Sequence, residues 1–534
     1  MPGRHRAVAL ALASALVLGA ATVSGAETVL APGESHGFPL SASEGSYVAG
    51  RLVSTGAPVD LDLTGPEGTP LRQLLRDSLG NGAFHLVAGA GPSQLRVTNA
   101  GGAAASVTLH LDRVVPPEQQ VARLPDPYLS PTIAGLADRL QAGGDTAAFW
   151  AARRAEGTPM VEPAARPDER IVTFLWRGAQ RNARLWGGPA YDHTWMQRLG
   201  DSDVWFASFT VPDDLRLTYG IAPDVPQFAG DAQANRRALL ATLQADPLNR
   251  APVYAGAPDV WAQRSQLVLP NAPQQPGMAG PAPARRGRIV EHRLSSARLG
   301  QDRRVAVYLP AGVDPAAPET VLLVLFDGPA YRSDRAPVPR ILDQLIAEGR
   351  LPPVVALMVD PVDSGQRARD LTCNPDFTDA LANELVPQIA ARLGLRPDPR
   401  RTVIAGSSYG GLAAAYATHR RPEVFGNAVV LSGSFWWAPE GYAGQGLPYM
   451  SSLWMEARMK APPDAPVRLW ISAGRYEAAR TPGSQSILET SRHLRDVLRL
   501  TGVEARYREY SGGHDYLVWR GALADGLLWL FGNG

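Results

Sequence analysis

Short, mostly apolar segments alternate with helical stretches in the C-terminal half of the chain, and this alternation constrains the fold more than any other feature. The segments are rich in valine, leucine and isoleucine and occur at 304–309, 321–326, 354–359, 402–406 and 467–472. Helical patterns, such as the one over 377–393, fall between them. Strands that are apolar on both sides are buried on both faces, so the pattern predicts a parallel sheet covered by helices. We assign it to a single α/β domain over 285–534.

The N-terminal half has a β-rich pattern. The chain has 534 residues, whereas single hydrophobic cores stop growing at roughly 250–300 residues, so further domains are expected. Residues 27–115 contain short alternating strands between Gly, Ser and Asn turns and predict an accessory β-sandwich. Residues 116–165 predict a partly helical linker. Residues 166–270 predict a second β-sandwich, of immunoglobulin-like type.

The first 26 residues have the three-part pattern of a secretory signal peptide. Arg4 and Arg6 precede an apolar stretch over 7–21, and the small residues at 24–26 offer a cleavage site. We therefore predict a signal peptide over 1–26 and a mature chain that begins at Glu27. No other stretch reaches the ~20 apolar residues needed to span a bilayer, so stable membrane insertion is not expected.

Cysteine content and net charge narrow the compartment and the partners. Cys373 is the only cysteine, so an intramolecular disulfide is excluded and the residue is expected to pack in the core. An exported protein without disulfides is predicted to be periplasmic. The net charge of +1 gives no indication of a nucleic-acid partner. The oligomeric state is left open.

Ser408 lies in a Gly-x-Ser-x-Gly motif between a strand and a helix, with Gly406 and Gly410 on either side. A serine hydroxyl is a poor nucleophile until a base takes its proton and donors stabilise the oxyanion. The α/β-hydrolase fold holds such a serine on a sharp strand-to-helix turn that needs small flanking residues. We therefore predict that Ser408 is the nucleophile of a C-terminal α/β-hydrolase domain preceded by the two β-sandwiches.

The general base is expected to be a histidine that follows the nucleophile in the chain. His419 is 11 residues after Ser408 on the same helix, which places it about 16 Å away and out of reach. His493 falls inside a helical run and is predicted to be a surface or packing residue. His514 lies in a Gly-rich loop before the last helix, where this fold places its base.

The third catalytic residue should orient the imidazole and is expected between the nucleophile and the base. Glu477 fits because it follows the strand over 467–472, although a solvated loop carboxylate is the alternative interpretation. The order Ser408, Glu477, His514 is that of the α/β-hydrolases.

The oxyanion hole should consist of two backbone N–H groups. One is that of Tyr409, the residue after the nucleophile, and the other comes from the loop after Phe326. Pro329 has no N–H group, so Gly328 or Ala330 is the second candidate.

The chain resembles the enterochelin (enterobactin) esterase family from about Ile171 to its end. The matching segments are 172–177, 245–249, 371–377, 406–411, 432–437, 512–515 and 519–520. The resemblance implies a serine carboxylic ester hydrolase that cleaves the trilactone of a ferric catecholate siderophore and so releases iron. It also implies Ser408, Glu477 and His514 as the triad, with no cofactor because the substrate carries the iron. Two features depart from the family: its best-known members are cytoplasmic, and they lack the β-domain over 27–115.

A ferric tris-catecholate is a large trianion, so its site should offer cations and aromatic rings. Arginine suits both tasks, because its planar guanidinium pairs with delocalised anions and stacks on rings. The candidates for substrate binding are Arg367, Arg369, Trp436, Trp437, Trp519 and Arg520.

Two other functions fit parts of the sequence. A secreted feruloyl or carbohydrate esterase also combines an immunoglobulin-like domain with this type of hydrolase. A non-catalytic siderophore- or glycan-binding protein could keep the fold, but the intact Ser408, Glu477 and His514 argue against it.

Overall fold

The computed structural model describes residues 23–24, 27–120, 128–190, 193–254, 256–442, 453–478 and 486–532. The chain divides into two compact units, the first comprising 1–120 and 226–241 and the second 121–225 and 242–534. The predicted signal peptide lies outside the described residues except for Val23–Ser24. Within the described ranges, no helix has both the length and the apolar character that a membrane crossing requires.

Unit 1 contains one seven-stranded antiparallel sheet. Its strands are β1 (Val23–Ser24), β2 (Thr28–Leu30), β3 (Ser35–Pro39), β4 (Tyr47–Thr64), β5 (Pro70–Val87), β6 (Gln94–Asn99) and β7 (Ala105–Val115). The 18-residue β4 pairs with β5, β6 and β7, and register shifts along it bend the sheet around its own core. The alternating sequence of β4 buries Val59, Leu61 and Leu63 and leaves Asp60 and Asp62 partly exposed.

Unit 2 begins with two helices and a β-sandwich. These elements are α1 (Pro131–Gln141), α2 (Ala147–Glu156), β8 (Met160–Pro163), β9 (Glu169–Arg177), β10 (Ala183–Trp186), β11 (Thr194–Trp195), β12 (Gln197–Arg198), β13 (Val204–Pro212), β14 (Arg216–Pro223) and β15 (Ser265–Val268). The sheets β11-β10-β14-β15 and β12-β13-β9-β8 share a core that includes Phe174, Leu185 and Leu217. Trp150 of α2 packs with Phe206 of β13, so the segment expected to be a linker is a packed part of this domain.

Helix α3 (Ala232–Thr242) follows β14 in the chain, but nearly all of it belongs to unit 1. Ala238 and Ala241 pack in a cluster with Tyr47 of β4. The Arg72 guanidinium donates to the carbonyl of Ala241 at 2.7 Å, and a cation is favourable at a helix C-terminus. The predicted domain over 166–270 therefore contributes residues 226–241 to unit 1, which the sequence did not indicate because a short alanine-rich helix carries no signal for the core it joins.

The C-terminal α/β domain contains an eight-stranded sheet in the order β16-β17-β19-β18-β20-β21-β22-β23. Its strands are β16 (Arg288–Ser296), β17 (Gln301–Leu309), β18 (Val321–Phe326), β19 (Val354–Val359), β20 (Thr402–Ser407), β21 (Asn427–Leu431), β22 (Arg468–Gly474) and β23 (Glu504–Tyr510). Strands β18 to β23 run parallel, and every residue of β18 and β19 is buried.

Helices cover both faces of this sheet. They are α4 (Gly328–Tyr331), α5 (Val338–Ala347), α6 (Ser364–Leu371), α7 (Pro375–Ala380), α8 (Val386–Leu393), α9 (Tyr409–Arg420), α10 (Trp454–Met459), α11 (Ile487–Thr501) and α12 (Tyr516–Phe531). One hydrophobic core includes residues of α7 to α11, and the other includes residues of α5 and α12. The predicted α/β-hydrolase class is confirmed, and the loops at the carboxyl ends of the parallel strands are where such a fold binds ligands.

Candidate active site

Ser408 occupies the sharp turn between β20 and α9. Its backbone angles, φ 60° and ψ −121°, lie in a region that side chains rarely adopt, and such strain clusters at functional sites. A Cβ atom added to Gly406 would lie 2.7 Å from the Gly410 backbone carbonyl carbon, so the turn requires glycine there. The structure therefore gives Ser408 the geometry of a nucleophile elbow.

Glu477 and His514 contact each other in the loops that follow the neighbouring strands β22 and β23. His514 Nδ1 lies 2.5 Å from Glu477 Oε1. The other carboxylate oxygen accepts hydrogen bonds from the Ser432 hydroxyl at 2.9 Å and from the Gly474 N–H at 2.5 Å. The Glu477 side chain is buried, whereas that of His514 is 41% exposed. The carboxylate is thus fixed by three partners and can orient an imidazole that is accessible to substrate.

Trp519 contacts both His514 and the Ser432 hydroxyl that binds Glu477. Its Nε1–H donates to the Ser432 hydroxyl at 2.9 Å, and its ring meets the His514 ring edge to face at 4.7 Å. Trp519 is only 5% exposed. At the start of α12 it faces the core and packs on His514, which gives it a structural role, and its predicted contact with substrate stays a prediction.

We expect Trp519→Phe to lower kcat while leaving KM unchanged. The phenyl ring keeps most of the packing but removes the N–H that holds Ser432 against Glu477. Loss of one supporting hydrogen bond at about 1 kcal/mol corresponds to a roughly five- to tenfold decrease. Trp529→Phe, at the other end of α12, is the matched control. Equal kinetics for the two variants would show that the Trp519 N–H has no part in catalysis.

The Ser408 hydroxyl hydrogen bonds with Ser434 rather than with His514. The two serine oxygens are 3.3 Å apart, and the Ser434 N–H donates to the Ser408 carbonyl at 3.1 Å. Ser434 is buried just after β21 and was not singled out in the sequence, although it lies in the 432–437 segment that carries the resemblance. Hydrogen bonds between catalytic groups are often long before substrate binds. Attack by Ser408 on an ester, with His514 as its base, would require the Ser408 hydroxyl to turn from Ser434 to His514.

Two helix starts provide the candidate oxyanion hole. Tyr409 is the first residue of α9 and Gly328 is the first residue of α4, so neither N–H has a partner within its own helix. The Ala330 N–H donates to the Asp327 carbonyl at 3.0 Å. Of the two alternatives on this loop, the structure therefore leaves Gly328 available.

Arg367 is held by Asp327, the residue before Gly328. Its Nε and Nη2 atoms donate to the two carboxylate oxygens at 2.5 Å and 2.7 Å. Asp327 has a φ of 57°, and this paired geometry fixes a backbone that is otherwise unfavourable. The guanidinium thus stabilises the loop that carries Gly328, and its contact with substrate stays a prediction.

The other residues predicted to bind substrate have different environments in the structure. Trp436 is 38% exposed and lies beside the ring of Tyr409, with centroids 5.9 Å apart, so it lines the site. Trp437 packs edge to face on Trp454 at 5.5 Å and lies, partly buried, against the core. Arg520 donates to Gln275 at 2.8 Å, and Arg369 donates to Gln366 at 2.7 Å. Trp437 and Arg520 thus have structural partners, whereas Arg369 is exposed with a partner on its own helix, and the predicted contact of all three with substrate stays a prediction.

Cys373 is buried, as the sequence predicts. Burial raises the pKa of its thiol well above the usual value, so the thiol stays protonated and unreactive at neutral pH.

The β-sandwich of unit 2 holds the loop that carries His514. The Arg216 N–H donates to the Ser511 carbonyl at 2.8 Å, and the Thr218 N–H donates to Asp515 Oδ2 at 3.2 Å. The other oxygen of Asp515 caps α12. Strand β14 therefore fixes the loop on both sides of His514, so the β-sandwich contributes to the position of this histidine.

We expect Asp515→Asn to lower kcat above pH 7 without changing KM. Burial raises the pKa of Asp515 to about 6, opposed by its backbone N–H donors, while the Glu477 charge raises it further. An amide cannot accept at both positions, so the bond to Thr218 or the cap is lost. One such bond corresponds to roughly a tenfold decrease in kcat.

The pH dependence separates this effect from protonation of His514. Below about pH 5 the wild-type carboxyl carries a proton and, like the amide, accepts less well, so the ratio of wild-type to variant kcat should approach one. The nearby Glu477 and Arg216 charges are the same in both proteins. A ratio that stays constant from pH 5 to pH 8, or an equal loss in Asp464→Asn on an exposed loop, would contradict this role.

Comparisons with known proteins agree with this geometry. The Esterase family model matches residues 296–530, and the model described as "Enterochelin esterase, N-terminal" matches residues 171–278. The iron(III) enterobactin esterase of Dickeya dadantii (strain 3937) is 31% identical over 435 residues, which cover 74% of this chain and 95% of that protein.

Solved structures give the same result. Ferric enterobactin esterase from Salmonella typhimurium superposes with a TM-score of 0.58 at 29% identity, covering 72% of this chain and 98% of that one. The Shigella flexneri enterobactin esterase, solved in the presence of enterobactin, has a TM-score of 0.56 at 30% identity, covering 71% and 97%. With both family models matched and a relative similar along nearly its whole length, the chain belongs to the enterochelin (enterobactin) esterase family.

Proposed function

We propose that this protein hydrolyses the lactone esters of a ferric catecholate siderophore, with Ser408 as nucleophile, His514 as base and Glu477 as the carboxylate that orients His514. The observation that carries the proposal is the buried Glu477 bonded to His514 at 2.5 Å, at the same sheet edge as the Ser408 elbow. The relatives along most of the chain are named for iron(III) enterobactin, which supports the choice of ester.

The proposed reaction has two acyl-transfer steps. His514 Nε2 takes the proton of Ser408 while the serine oxygen attacks a lactone carbonyl, and the oxyanion is stabilised by the N–H groups of Tyr409 and Gly328. His514 then gives the proton to the leaving alkoxide, which opens the ring and leaves an acyl-enzyme. A water molecule, deprotonated by His514, releases the linear product and restores Ser408.

The consequence of ring opening is weaker iron binding. The closed lactone holds three catecholates in one arrangement around the ion, and the linear product has to order its chain each time it binds. The iron belongs to the substrate, and the proposed chemistry uses no resident cofactor.

The substrate preference separates this proposal from the feruloyl esterase alternative. We expect kcat/KM for ferric enterobactin to exceed that for methyl ferulate by at least about a thousandfold, because methyl ferulate lacks both the anionic iron centre and the lactone. Comparable values for the two esters would reject the siderophore assignment and leave a general serine esterase.

We also propose that the enzyme acts in the periplasm. The support is the signal-peptide pattern over 1–26. Cell fractionation with N-terminal sequencing of the mature chain tests this: a periplasmic protein that begins at Glu27 is expected, and a cytoplasmic protein that retains Arg4 and Arg6 would contradict it.

A further inference from the structure

Four residues at the edge of the active-site loops form a cluster of cations and rings that no function described above uses. Trp186 lies on β10, Tyr254 and Arg264 lie on the β-sandwich segment between α3 and β15, and Arg335 follows α4. The Arg264 guanidinium lies 5.4 Å from the centre of the Trp186 ring, and that of Arg335 lies 4.8 Å from the centre of the Tyr254 ring. We call these four residues the Arg–aromatic cluster.

The cluster is connected to the catalytic loops. The Gly256 N–H donates to Asp334 at 3.0 Å, which joins the β-sandwich segment to the loop that follows α4. The charges of Arg335 and Asp515 both act on the pKa of Tyr254, which burial raises. Asp515 is the neighbour of His514 in the sequence, so Tyr254 lies within electrostatic range of the loop that carries His514.

The two arginines of the cluster differ from the two arginines beside the loop that carries Gly328. Arg367 pairs with Asp327, and Arg332 pairs with Asp360. In the part of the chain that the structure describes, neither Arg264 nor Arg335 forms an ion pair. Arg264 instead donates to the carbonyls of Trp261 and Gln263, and burial lowers its pKa to about 10, with the Arg335 charge lowering it further.

The cluster also has an unused hydrogen-bond donor. The Trp186 indole N–H is buried and has no hydrogen-bond partner among the described residues. A buried donor without an acceptor is costly, and it is explained if a ligand supplies the acceptor. The cluster thus offers two guanidinium groups without an ion pair among the described residues, two aromatic rings and a buried N–H without an acceptor. Together they match a planar, anionic and oxygen-rich aromatic group.

We propose that the Arg–aromatic cluster binds an iron-bound catecholate arm of the substrate and so selects the ferric complex over the iron-free lactone. The inference rests on the proposed function for the identity of the ester, but the binding it describes does not require hydrolysis.

Binding is tested in a hydrolysis-deficient background with a ligand that contains no lactone. Ser408→Ala protein is titrated calorimetrically with the ferric complex of N-(2,3-dihydroxybenzoyl)serine. Arg335→Gln and Arg264→Gln should each raise Kd about tenfold, since each removes one charge and one ring contact. Arg335→Lys should recover only part of the loss, because an ammonium ion does not stack. Arg499→Gln, on an exposed part of α11, is the control and should bind like the parent.

Kinetics of the otherwise wild-type enzyme provide the second readout. The two substitutions should raise KM for ferric enterobactin about tenfold, with kcat and turnover of 4-nitrophenyl butyrate within about twofold of wild type. The effect on iron-free enterobactin, which carries less negative charge, should be smaller.

The results distinguish this inference from the proposed function. Unchanged Kd and KM in both arginine variants, with the lactone still cleaved, would overturn the cluster and leave the function intact. Arginine-dependent binding by a protein that cleaves no lactone would support the cluster and reject the esterase assignment.

Discussion

Replacing His514 by alanine is expected to lower kcat for ferric enterobactin by about 10⁵- to 10⁶-fold, the loss seen when a serine hydrolase loses its base. Without the imidazole, no group in the site removes the proton of Ser408 or protonates the leaving alkoxide. KM should change little, because the alanine variant keeps the oxyanion donors and the binding surface. Steady-state rates with ferric enterobactin and with 4-nitrophenyl butyrate measure the effect on the chemistry and on binding separately.

The control for this variant is His493→Ala. His493 lies on α11 and, like His514, follows the helix that begins after Ser408. We expect its replacement to leave kcat within about threefold of wild type, since surface and packing substitutions rarely affect chemistry. A larger loss of kcat in His493→Ala than in His514→Ala would show that His514 is not the base. Added imidazole should restore part of the activity of His514→Ala only, because that side chain is 41% exposed.

Replacing Glu477 by glutamine is expected to lower kcat by about 10³- to 10⁴-fold. The amide keeps the shape of the side chain but removes the charge that stabilises the imidazolium. It also turns one of the two acceptors that serve His514, Ser432 and Gly474 into a donor. Either imidazole orientation or the Ser432 bond is then lost.

Glu504→Gln is the matched control, because Glu504 is exposed at the start of β23. It should have wild-type kinetics. Activity of Glu477→Gln within tenfold of wild type would mean that another carboxylate serves His514. Asp515 is then the nearest candidate, and the structure argues against it because both of its oxygens face away, to β14 and to the start of α12.

The arrangement of the candidate catalytic residues could be predicted because these residues follow local rules. The Ser408 turn needs small neighbours, and the chain order of nucleophile, carboxylate and base follows from the order of parallel strands. The structure brings Glu477 and His514 together as expected. The apolar strands β18 and β19 likewise specified a sheet buried on both faces.

The surroundings of the centre could not be predicted because they depend on contacts between distant segments. Arg367 is 40 residues from Asp327, and nothing local indicates that the two side chains pair. Trp519 is expected near the site and does lie there, but the helical register turns it toward the core. Ser432 and Ser434 are ordinary residues after a strand until the tertiary structure places their hydroxyls on Glu477 and Ser408.

Longer-range assembly was the least predictable feature. Helix α3 joins a core formed mainly by residues more than a hundred positions earlier, such as Tyr47. The Arg–aromatic cluster combines two separate segments of the β-sandwich with the loop after α4. Sequence proximity carries no signal for either arrangement, since both result from the packing of complete domains.

The most direct test of the account is product analysis with the nucleophile intact and removed. Purified wild-type protein and the Ser408→Ala variant are incubated with ferric enterobactin, and the products are separated by chromatography. Wild type should convert the cyclic lactone to linear trimers and shorter esters of dihydroxybenzoylserine, and Ser408→Ala should leave it intact. The same product yield from Ser408→Ala, or an unchanged lactone with the wild-type protein, would contradict the central claim that Ser408 cleaves the siderophore ester.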